Sequence, residues 1–366
     1  HIDIHRDCHG LDRDPRSHNG LEGGVMYVDH NATSPPSEAV RNAVADAMVN
    51  CWANANSPHR LGQGAAVQVE FARRQVATMM NCIPKNVFFT SGATEANAWV
   101  LQPTDLPVIA SAVEHPSVLA WADEEIPVHE SGEVKLDWLE DRLRAGPALV
   151  SVMAANNESG VLQPIGEVAA LCRRYEAKFH CDATQVPGRI PVDIDADWIT
   201  ISAHKYGGPR GVGALIGPKP SSPLLRGGEQ ERGQRAGTSN VPGIIGMGVA
   251  SADRTQVSPI ERDKLEHHCL GRGALILGGS APRLPNTTLA LFDHPGDLIV
   301  AALDLRGIQA STGSACSSGS AVESHVVRAM GHRGTPVRFS LGVESRADDV
   351  IRALDEVLME MGGQCA

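Results

Sequence analysis

The stretch KFHCDATQVPGRIPVDIDADWITISAHKYGGPRGVGALIG (178–217) determines the fold class that this sequence predicts. Within it, three apolar runs predict buried strands: KFHCDA (178–183), WITISA (198–203) and VGALIG (212–217). Each run ends in polar or glycine-rich residues, which is typical of strands whose ends meet a loop. The stretch therefore predicts neighbouring strands of one sheet.

The same alternation continues toward the N-terminus. EAVRNAVADAMVN (38–50) and AAVQVEFARRQVATMM (65–80) carry helical patterns. NVFFT (86–90), PVIAS (107–111) and ALVSVMA (148–154) predict further strands. Because strands alternate with helices over this whole length, the sequence predicts an α/β fold with a mostly parallel sheet flanked by helices.

The pattern changes beyond about residue 250. The Gly/Pro-rich stretch GGSAPRLPNTT (278–288) leads into an apolar strand, and GDLIVAALDLRGI (296–308) predicts a helix closed by Gly307. These features predict a second, smaller α/β domain after the large one.

We accordingly expect a large domain over residues 40–250 and a small domain made of residues 26–39 and 251–366. Residues 1–25 hold four histidines and many charges but lack the apolar core of a signal peptide. We expect these first residues to be a tag or a disordered extension.

Composition restricts the class of function. Of the 366 residues, 42% are hydrophobic and 20% are charged, as in an ordinary folded protein. No run approaches the about 18 apolar residues of a membrane span, so no membrane association is expected. The net charge of -11 argues against direct binding to nucleic acid, because phosphate contacts need a surplus of Lys and Arg. The eight cysteines form no Cys-x-x-Cys pair, which predicts reduced thiols in a cytoplasmic protein and no metal site.

Polar segments follow the predicted strands at the places where an open parallel sheet binds its ligands. They are SGATEAN (91–97), EHPS (114–117), NNESG (156–160), DATQ (182–185) and SAHK (202–205). These segments are therefore predicted to supply site residues.

Lys205 follows a buried strand, and Asp182 lies at the end of another. A low dielectric can depress the pKa of a lysine amine and make it a nucleophile, although a solvated surface lysine is the simpler interpretation. A buried carboxylate such as Asp182 needs a cation, and a protonated pyridine nitrogen is one; a helix cap is the alternative.

Small and hydroxyl-bearing residues in TSGATEAN suit a phosphate at a helix N-terminus, with Thr94 among them, although a plain capping box is equally compatible. Ser202 and His204 flank Lys205 and offer further donors to the same phosphate. His115 is either a turn histidine or a group that stacks on a cofactor ring and moves protons.

Cys316 lies in STGSACSSGSAVESHVV (311–327), a polar run of Ser, Gly and Ala that indicates a loop and suits a reacting thiolate, whereas a buried cysteine would be inert. Arg338 lies in the strand pattern VRFSLG (337–342). It is either an inward-facing holder of a carboxylate or a surface strand residue.

In their order along the chain these motifs resemble the cysteine desulfurase family (NifS/IscS-like branch), which belongs to the fold-type-I pyridoxal-phosphate enzymes. The resemblance runs from about Tyr27 to Leu358 through YVDHNAT, NSPHRLG, TSGATEAN, EHPS, NNESGV, HCDATQ, SAHKYGGPRGVG, ERGQRAGTSN, LPNT, STGSACSSG and VRFSLG. It implies a fold-type-I transferase whose large domain has a mostly parallel seven-stranded sheet flanked by helices, with a smaller α/β domain beside it.

The resemblance implies pyridoxal 5'-phosphate as the cofactor. Lys205 matches the lysine that joins covalently to the cofactor, Asp182 the partner of the pyridine nitrogen, and Gln185 the contact of the ring hydroxyl. His115 matches the stacking histidine. The remaining cofactor contacts implied are Thr94, Ser202, His204 and Asn157, with Thr238 reaching over from the other subunit.

The resemblance also implies the reaction. Asn157 and Arg338 would grip the carboxylate of L-cysteine, and Cys316 would take its sulfur as a persulfide, releasing L-alanine. The sulfur would pass to an acceptor protein for iron–sulfur cluster assembly, tRNA thiolation or DNA phosphorothioation. The family further implies a homodimer.

Two other functions stay open from the sequence. Another pyridoxal-phosphate-dependent lyase, such as a selenocysteine lyase, would share Lys205 and Asp182 without needing Cys316. A non-catalytic scaffold that only binds a sulfur-acceptor protein would need none of the three.

Overall fold

The computed structural model describes residues 25–253, 257–313 and 323–363. Its strands are β1 (Met26–Tyr27), β2 (Val87–Thr90), β3 (Val108–Ser111), β4 (Glu124–Ile126), β5 (Leu149–Ser151), β6 (Lys178–Asp182), β7 (Trp198–Ser202), β8 (Gly213–Ile216), β9 (Leu275–Ile276), β10 (Thr287–Leu291), β11 (Ile308–Gln309) and β12 (Val337–Ser340). Its α-helices are α1 (Glu38–Asn50), α2 (Arg60–Met79), α3 (Ala93–Leu101), α4 (Pro116–Leu119), α5 (Leu136–Arg144), α6 (Ile165–Arg174), α7 (Gln230–Gly233), α8 (Val241–Ala252), α9 (Pro259–Gly271), α10 (Gly296–Asp304), α11 (His325–Ala329) and α12 (Ala347–Gly363). Short 3₁₀-helices lie at Pro84–Asn86 and Ala203–Tyr206.

The main sheet has seven strands in the order β2-β8-β7-β6-β5-β3-β4. β8 runs antiparallel to both of its neighbours, and every other adjacent pair in this sheet is parallel. The runs predicted at 107–111, 148–154, 178–183, 198–203 and 212–217 form β3, β5, β6, β7 and β8. The predicted fold class, a mostly parallel seven-stranded sheet flanked by helices, is confirmed.

Both faces of this sheet are buried, and alternate residues of β2 show how. Val87 and Phe89 belong to the largest apolar cluster, together with residues of α2 and α6. Phe88 belongs to a different cluster, where its ring meets Trp99 of α3 edge-on with centroids 5.7 Å apart. Because successive side chains point to opposite faces, a strand buried on both faces has a continuous apolar sequence.

A smaller unit packs beside the main sheet. The antiparallel strands β12-β10-β9 and the parallel pair β1-β11 share an apolar cluster with α9, α10 and α12. The predicted helix at 296–308 is α10, and the turn after it reaches Gly307, whose φ of 79° is in the left-handed region. β1 pairs with β11, so residues 26–27 join this unit.

The predicted division of the chain at residues 40–250 stays a prediction. Leu289 and Val326 of the C-terminal third belong to the apolar cluster of the main sheet rather than to that of the smaller unit. The two packing units therefore share a continuous contact. In the described ranges, no helix combines the length and the apolar character needed to cross a membrane.

Trp99 offers a test of this packing. Its side chain is fully buried and its indole N–H donates to the carbonyl of Ser222 at 2.9 Å. We expect Trp99→Ala to lower the free energy of unfolding by about 3–5 kcal/mol, because it opens a cavity between α3 and the sheet. Denaturant unfolding followed by circular dichroism measures this. Trp121→Ala, which removes a partly exposed ring, is the control and should lower the free energy of unfolding clearly less. An equal loss of stability in the two variants would contradict the packing described.

Candidate active site

One cavity of about 900 Å³ collects most of the predicted site residues. It opens at the edge of the main sheet where β6 and β7 end. Its lining includes Thr94, His115, Asn157, Asp182, Gln185, Ser202, His204, Lys205 and Arg338. Residues from six separate segments of the sequence thus meet at the edge of the sheet where ligands were expected.

Asp182 and Lys205 come from neighbouring parallel strands. Asp182 ends β6, and Lys205 lies in the 3₁₀-helix directly after β7. Asp182 is buried, and its carboxylate accepts hydrogen bonds from Asn97 Nδ2 at 3.0 Å and from the backbone N–H of Thr184 at 2.9 Å. Lys205 is half-buried, and its Nζ donates to the carbonyl of Asn31 at 2.7 Å. The solvated surface lysine is therefore excluded, whereas Asp182 does make a local turn contact through Thr184.

The N-terminus of α3 lies at the cavity because the backbone at Gly92, just before the helix, passes close to the backbone of β8 at Gly213. A Cβ on Gly213 of β8 would lie 2.7 Å from the Cα of Gly92, and Gly92 itself has a φ of 158°. Gly92 is the N-cap of α3, and Glu95 Oε2 accepts from the backbone N–H of Ser91 at 2.8 Å, so the start of the helix is capped through Glu95 and not through Thr94. A Cβ on Gly92 would lie 3.8 Å from Ser202 Oγ. The first N–H groups of α3 have no partner within the helix, and this arrangement suits an anion.

The two predicted histidines are neutral groups. His115 caps α4 through Nδ1, which accepts from the backbone N–H of Ser117 at 3.1 Å, and it also lines the cavity. Burial lowers the pKa of His115, which favours the neutral imidazole at neutral pH. Burial and the positive charge of Lys205 lower the pKa of His204 to about 4. His204 Nδ1 lies 3.2 Å from Thr33 Oγ1.

Arg338 points inward from β12 and is not a surface strand residue. Only 1% of it is exposed. Its Nη1 donates to the carbonyls of Gly313 at 2.7 Å and of Asn157 at 3.1 Å. Its Nη2 pairs with Asp29 Oδ1 at 2.5 Å. The guanidinium therefore stands in the cavity wall with several backbone segments fixed around it.

Three residues near the cavity were missed by the sequence reasoning. The carbonyl of Asn31 accepts from Gln185 Nε2 at 3.0 Å as well as from Lys205. Glu114 is fully buried beside His115, and burial and the charge of Asp182 raise its pKa well above the usual range. His325 Nε2 donates to the carbonyl of Glu114 at 2.8 Å. An acid preceding a candidate histidine in EHPS was the available signal for Glu114, whereas a backbone acceptor such as Asn31 leaves no signal in the sequence.

Two predicted residues are not part of the described cavity. Thr238 lines a separate hollow of about 230 Å³, which shares Ser91 and Gly211 with the cavity. Cys316 lies outside the described residues, and the described residues on either side of its segment, Gly313 and Glu323, both line the cavity. Within the described ranges, no group of three or more His, Cys, Asp or Glu side chains is placed to hold a metal ion.

The residues present fit pyridoxal phosphate. The buried atoms Gln185 Oε1 and Thr184 Oγ1 have no hydrogen-bond partner in the described structure, and both residues line the cavity. A ligand with polar ring substituents would satisfy them. Lys205 would supply the amine, Asp182 the carboxylate for a protonated ring nitrogen, and the N-terminus of α3 the phosphate cradle. The volume is in the range of small-molecule sites.

Asp182 tests this fit. We expect Asp182→Asn to weaken cofactor binding by about tenfold or more, because a buried charge pair loses one partner. Titration of the cofactor-free protein with pyridoxal phosphate, followed by visible absorbance, measures it. Asp193→Asn, at an exposed position near β7, is the control and should bind as the wild type does. Equal affinity for the Asp182 variant and the wild type would refute the pairing.

Comparisons with known proteins identify the family of this chain. The chain is 37% identical to a cysteine desulfurase of Sinorhizobium fredii, in a match covering 90% of this chain and 94% of that protein. It is 38% identical to a cysteine desulfurase of Klebsiella pneumoniae, covering 89% and 90% of the two chains. The structure matches that of a NifS-like protein from Rickettsia africae with a TM-score of 0.83 and 34% identity, over 92% of this chain and 99% of the other. Because the family model Aminotransferase class-V also matches residues 26–352, this chain belongs to the aminotransferase class-V family of pyridoxal-phosphate-dependent enzymes.

Proposed function

We propose that this chain is a cysteine desulfurase, which converts L-cysteine to L-alanine and holds the sulfur as a persulfide on Cys316. The observation that carries the proposal is the meeting of Lys205, Asp182 and Arg338 in one cavity. The relatives support the proposal as well, because the chain is 37–38% identical to cysteine desulfurases over about nine-tenths of its length.

Arg338 and Asn157 bind and orient the substrate in this proposal. The guanidinium is buried and charged, and its Nε has no hydrogen-bond partner within the described residues. A carboxylate is the natural ligand of such a group. Asn157 lies next to it, since its carbonyl accepts from Arg338 Nη1. The amino acid would thus enter with its carboxylate directed toward β12.

The cofactor, when bound, supplies an electron sink for the carbon skeleton of the amino acid. Asp182 would keep the ring nitrogen protonated. Thr94, Ser202 and His204 would hold the phosphate, Gln185 would contact the ring hydroxyl, and His115 would stack on the ring. Lys205 Nζ would hold the cofactor, and the same amine would take the α-proton of the substrate. His115, neutral at neutral pH, accepts a proton from one of the two thiols.

The sulfur transfer is balanced without an external oxidant. The thiolate of Cys316 attacks the sulfur of L-cysteine, so that an S–S bond forms and the C–S bond breaks. The electron pair of the broken bond remains on carbon, which takes up a proton and leaves as L-alanine. Release of the outer persulfide sulfur as sulfide then needs a thiol reductant, whereas an acceptor thiolate that attacks this sulfur carries it away as a new persulfide and frees the Cys316 thiolate.

We further propose that the acceptor is a protein serving iron–sulfur cluster assembly, tRNA thiolation or DNA phosphorothioation, and that the enzyme is a cytoplasmic homodimer. In this proposal Thr238, which lies outside the cavity of its own chain, acts on the phosphate in the partner subunit.

Cys316→Ser tests the proposed function. We expect the variant to keep the visible absorbance of the bound cofactor and to lose sulfide release from L-cysteine by about a hundredfold or more, because serine cannot accept the sulfur. Alanine and sulfide are measured with dithiothreitol present.

Cys82→Ser provides the matched control. Cys82 is outside the cavity, and burial raises the pKa of its thiol to about 11, so it is little ionised. This variant should release sulfide as the wild type does. Normal turnover by Cys316→Ser would show that the nucleophile is misassigned. A wild type that carries cofactor but ignores L-cysteine would instead favour another lyase.

A further inference from the structure

A carboxylate stands at the place where the phosphate of the cofactor is proposed to bind. Glu95 lies in the first turn of α3 and lines the cavity together with Ser91 and Thr94. The first helical bond of α3 runs from the N–H of Ala96 to the carbonyl of Gly92, so the N–H groups before it are the ones offered to an anion. A negative side chain in the same turn would repel a phosphate dianion.

Glu95 is charged at neutral pH. Burial opposes its ionisation, but hydrogen bonds from Arg235 and Ser91 outweigh this effect and lower the pKa of the Glu95 carboxyl group. One of these bonds is donated by the backbone N–H of Ser91 to Glu95 Oε2 at 2.8 Å. The carboxylate therefore closes the turn before the helix, and its charge needs a partner of opposite sign.

Arg235 is that partner. Its Nε donates to Glu95 Oε1 at 2.7 Å and its Nη2 to Glu95 Oε2 at 2.9 Å. Two parallel bonds of this kind match the fork of a guanidinium to a carboxylate. Glu95 lines the cavity, and Arg235 lines the neighbouring hollow of about 230 Å³. The ion pair therefore lies between the two, and its charges cancel beside the first turn of α3.

The segment that carries Arg235 is fixed by a second ion pair. Glu231 and Arg232 have φ angles of 47° and 61°, a left-handed conformation that is strained for residues other than glycine. The Glu231 carboxylate accepts two bonds from Arg73 of α2, at 2.8 and 2.9 Å, and one from the backbone N–H of Phe89 at 3.0 Å. The conformation that brings Arg235 to α3 is therefore maintained by contacts with α2 and β2.

We propose that Arg235 is a positioning residue for the phosphate of pyridoxal 5'-phosphate. By binding Glu95, it cancels a negative charge in the first turn of α3, so that the N-terminus of the helix can accept the phosphate. This role rests on the proposed location of the phosphate at α3, and it does not depend on the reaction with L-cysteine.

A purely structural ion pair would respond differently to substitution. If the pair only stabilised the fold, breaking it from either side would weaken binding of the cofactor in the same direction. In the proposed role, phosphate binding follows the net charge of the pair. One negative charge remains in Arg235→Gln, one positive charge remains in Glu95→Gln, and the charge is zero in the wild type and in the double variant. Glutamine at position 95 keeps an oxygen that can accept from the Ser91 N–H.

The experiment titrates the cofactor-free proteins with pyridoxal 5'-phosphate and with pyridoxal, which lacks the phosphate, and follows the visible absorbance. The ratio of the Kd for pyridoxal to the Kd for pyridoxal 5'-phosphate measures the contribution of the phosphate. We expect Arg235→Gln to lower this ratio by about tenfold or more and Glu95→Gln to raise it by about threefold or more, since charges a few ångströms apart in a protein have effects of this size. The double variant should return to within about threefold of the wild type.

Arg283→Gln is the matched control. Arg283 also forms a two-fold bond with a carboxylate, that of Glu266, with both bonds at 2.7 Å, and neither of these described residues lines the cavity. This variant should lower the unfolding midpoint and keep the wild-type ratio. The Glu95→Gln result decides the inference even where Arg235→Gln does not fold, because loss of the same ion pair from the other side is then expected to strengthen phosphate binding.

Three outcomes would overturn the inference: an unchanged or lowered ratio in Glu95→Gln, an unchanged ratio in Arg235→Gln, or a double variant no better than Arg235→Gln alone. A wild-type ratio near one would instead refute the location of the phosphate at α3. Failure of the proposed function would appear separately, as a wild type that binds the cofactor and forms no alanine from L-cysteine.

Discussion

The buried guanidinium of Arg338 is the interaction on which the rest of the site depends. A charge removed from water must have its donors satisfied, and here the partners come from three distant segments: Asp29, Asn157 and Gly313. Asp29 and Arg338 are 309 residues apart in the sequence. Because β12 carries Arg338, the packing of the smaller unit and the shape of the cavity are fixed by the same contacts.

The sequence predicted the main sheet and the centre of the site because both leave local signals. An apolar run that ends in a polar residue is visible within a few positions, and this pattern located Asp182 at the end of β6 and Lys205 after β7. Because β6 and β7 are neighbouring parallel strands, their carboxyl ends lie at the same edge of the sheet. The roles of the individual side chains were taken from the family resemblance and stay proposals.

Other features could not be predicted because their cause is not local. β1, β9 and β11 have two residues each, too few to show a period, and they exist because a distant strand offers hydrogen bonds. The carbonyl of Asn31 acts through its backbone, so its residue type says nothing about it. The packing of Val326 against the apolar cluster of the main sheet likewise depends on how the chain returns to it, which no local pattern shows.

The antiparallel direction of β8 has a consequence for Lys205. After β7 the chain turns back at the edge where Asp182 lies, without a crossover helix, and residues 203–212 are closed by the bond from the Ala203 N–H to the Val212 carbonyl at 3.1 Å. A loop joined to paired strands at both ends loses its conformational freedom when the sheet forms, not when a ligand arrives. The position of the amine is therefore set by the folding of the sheet itself and does not depend on a ligand to order the loop.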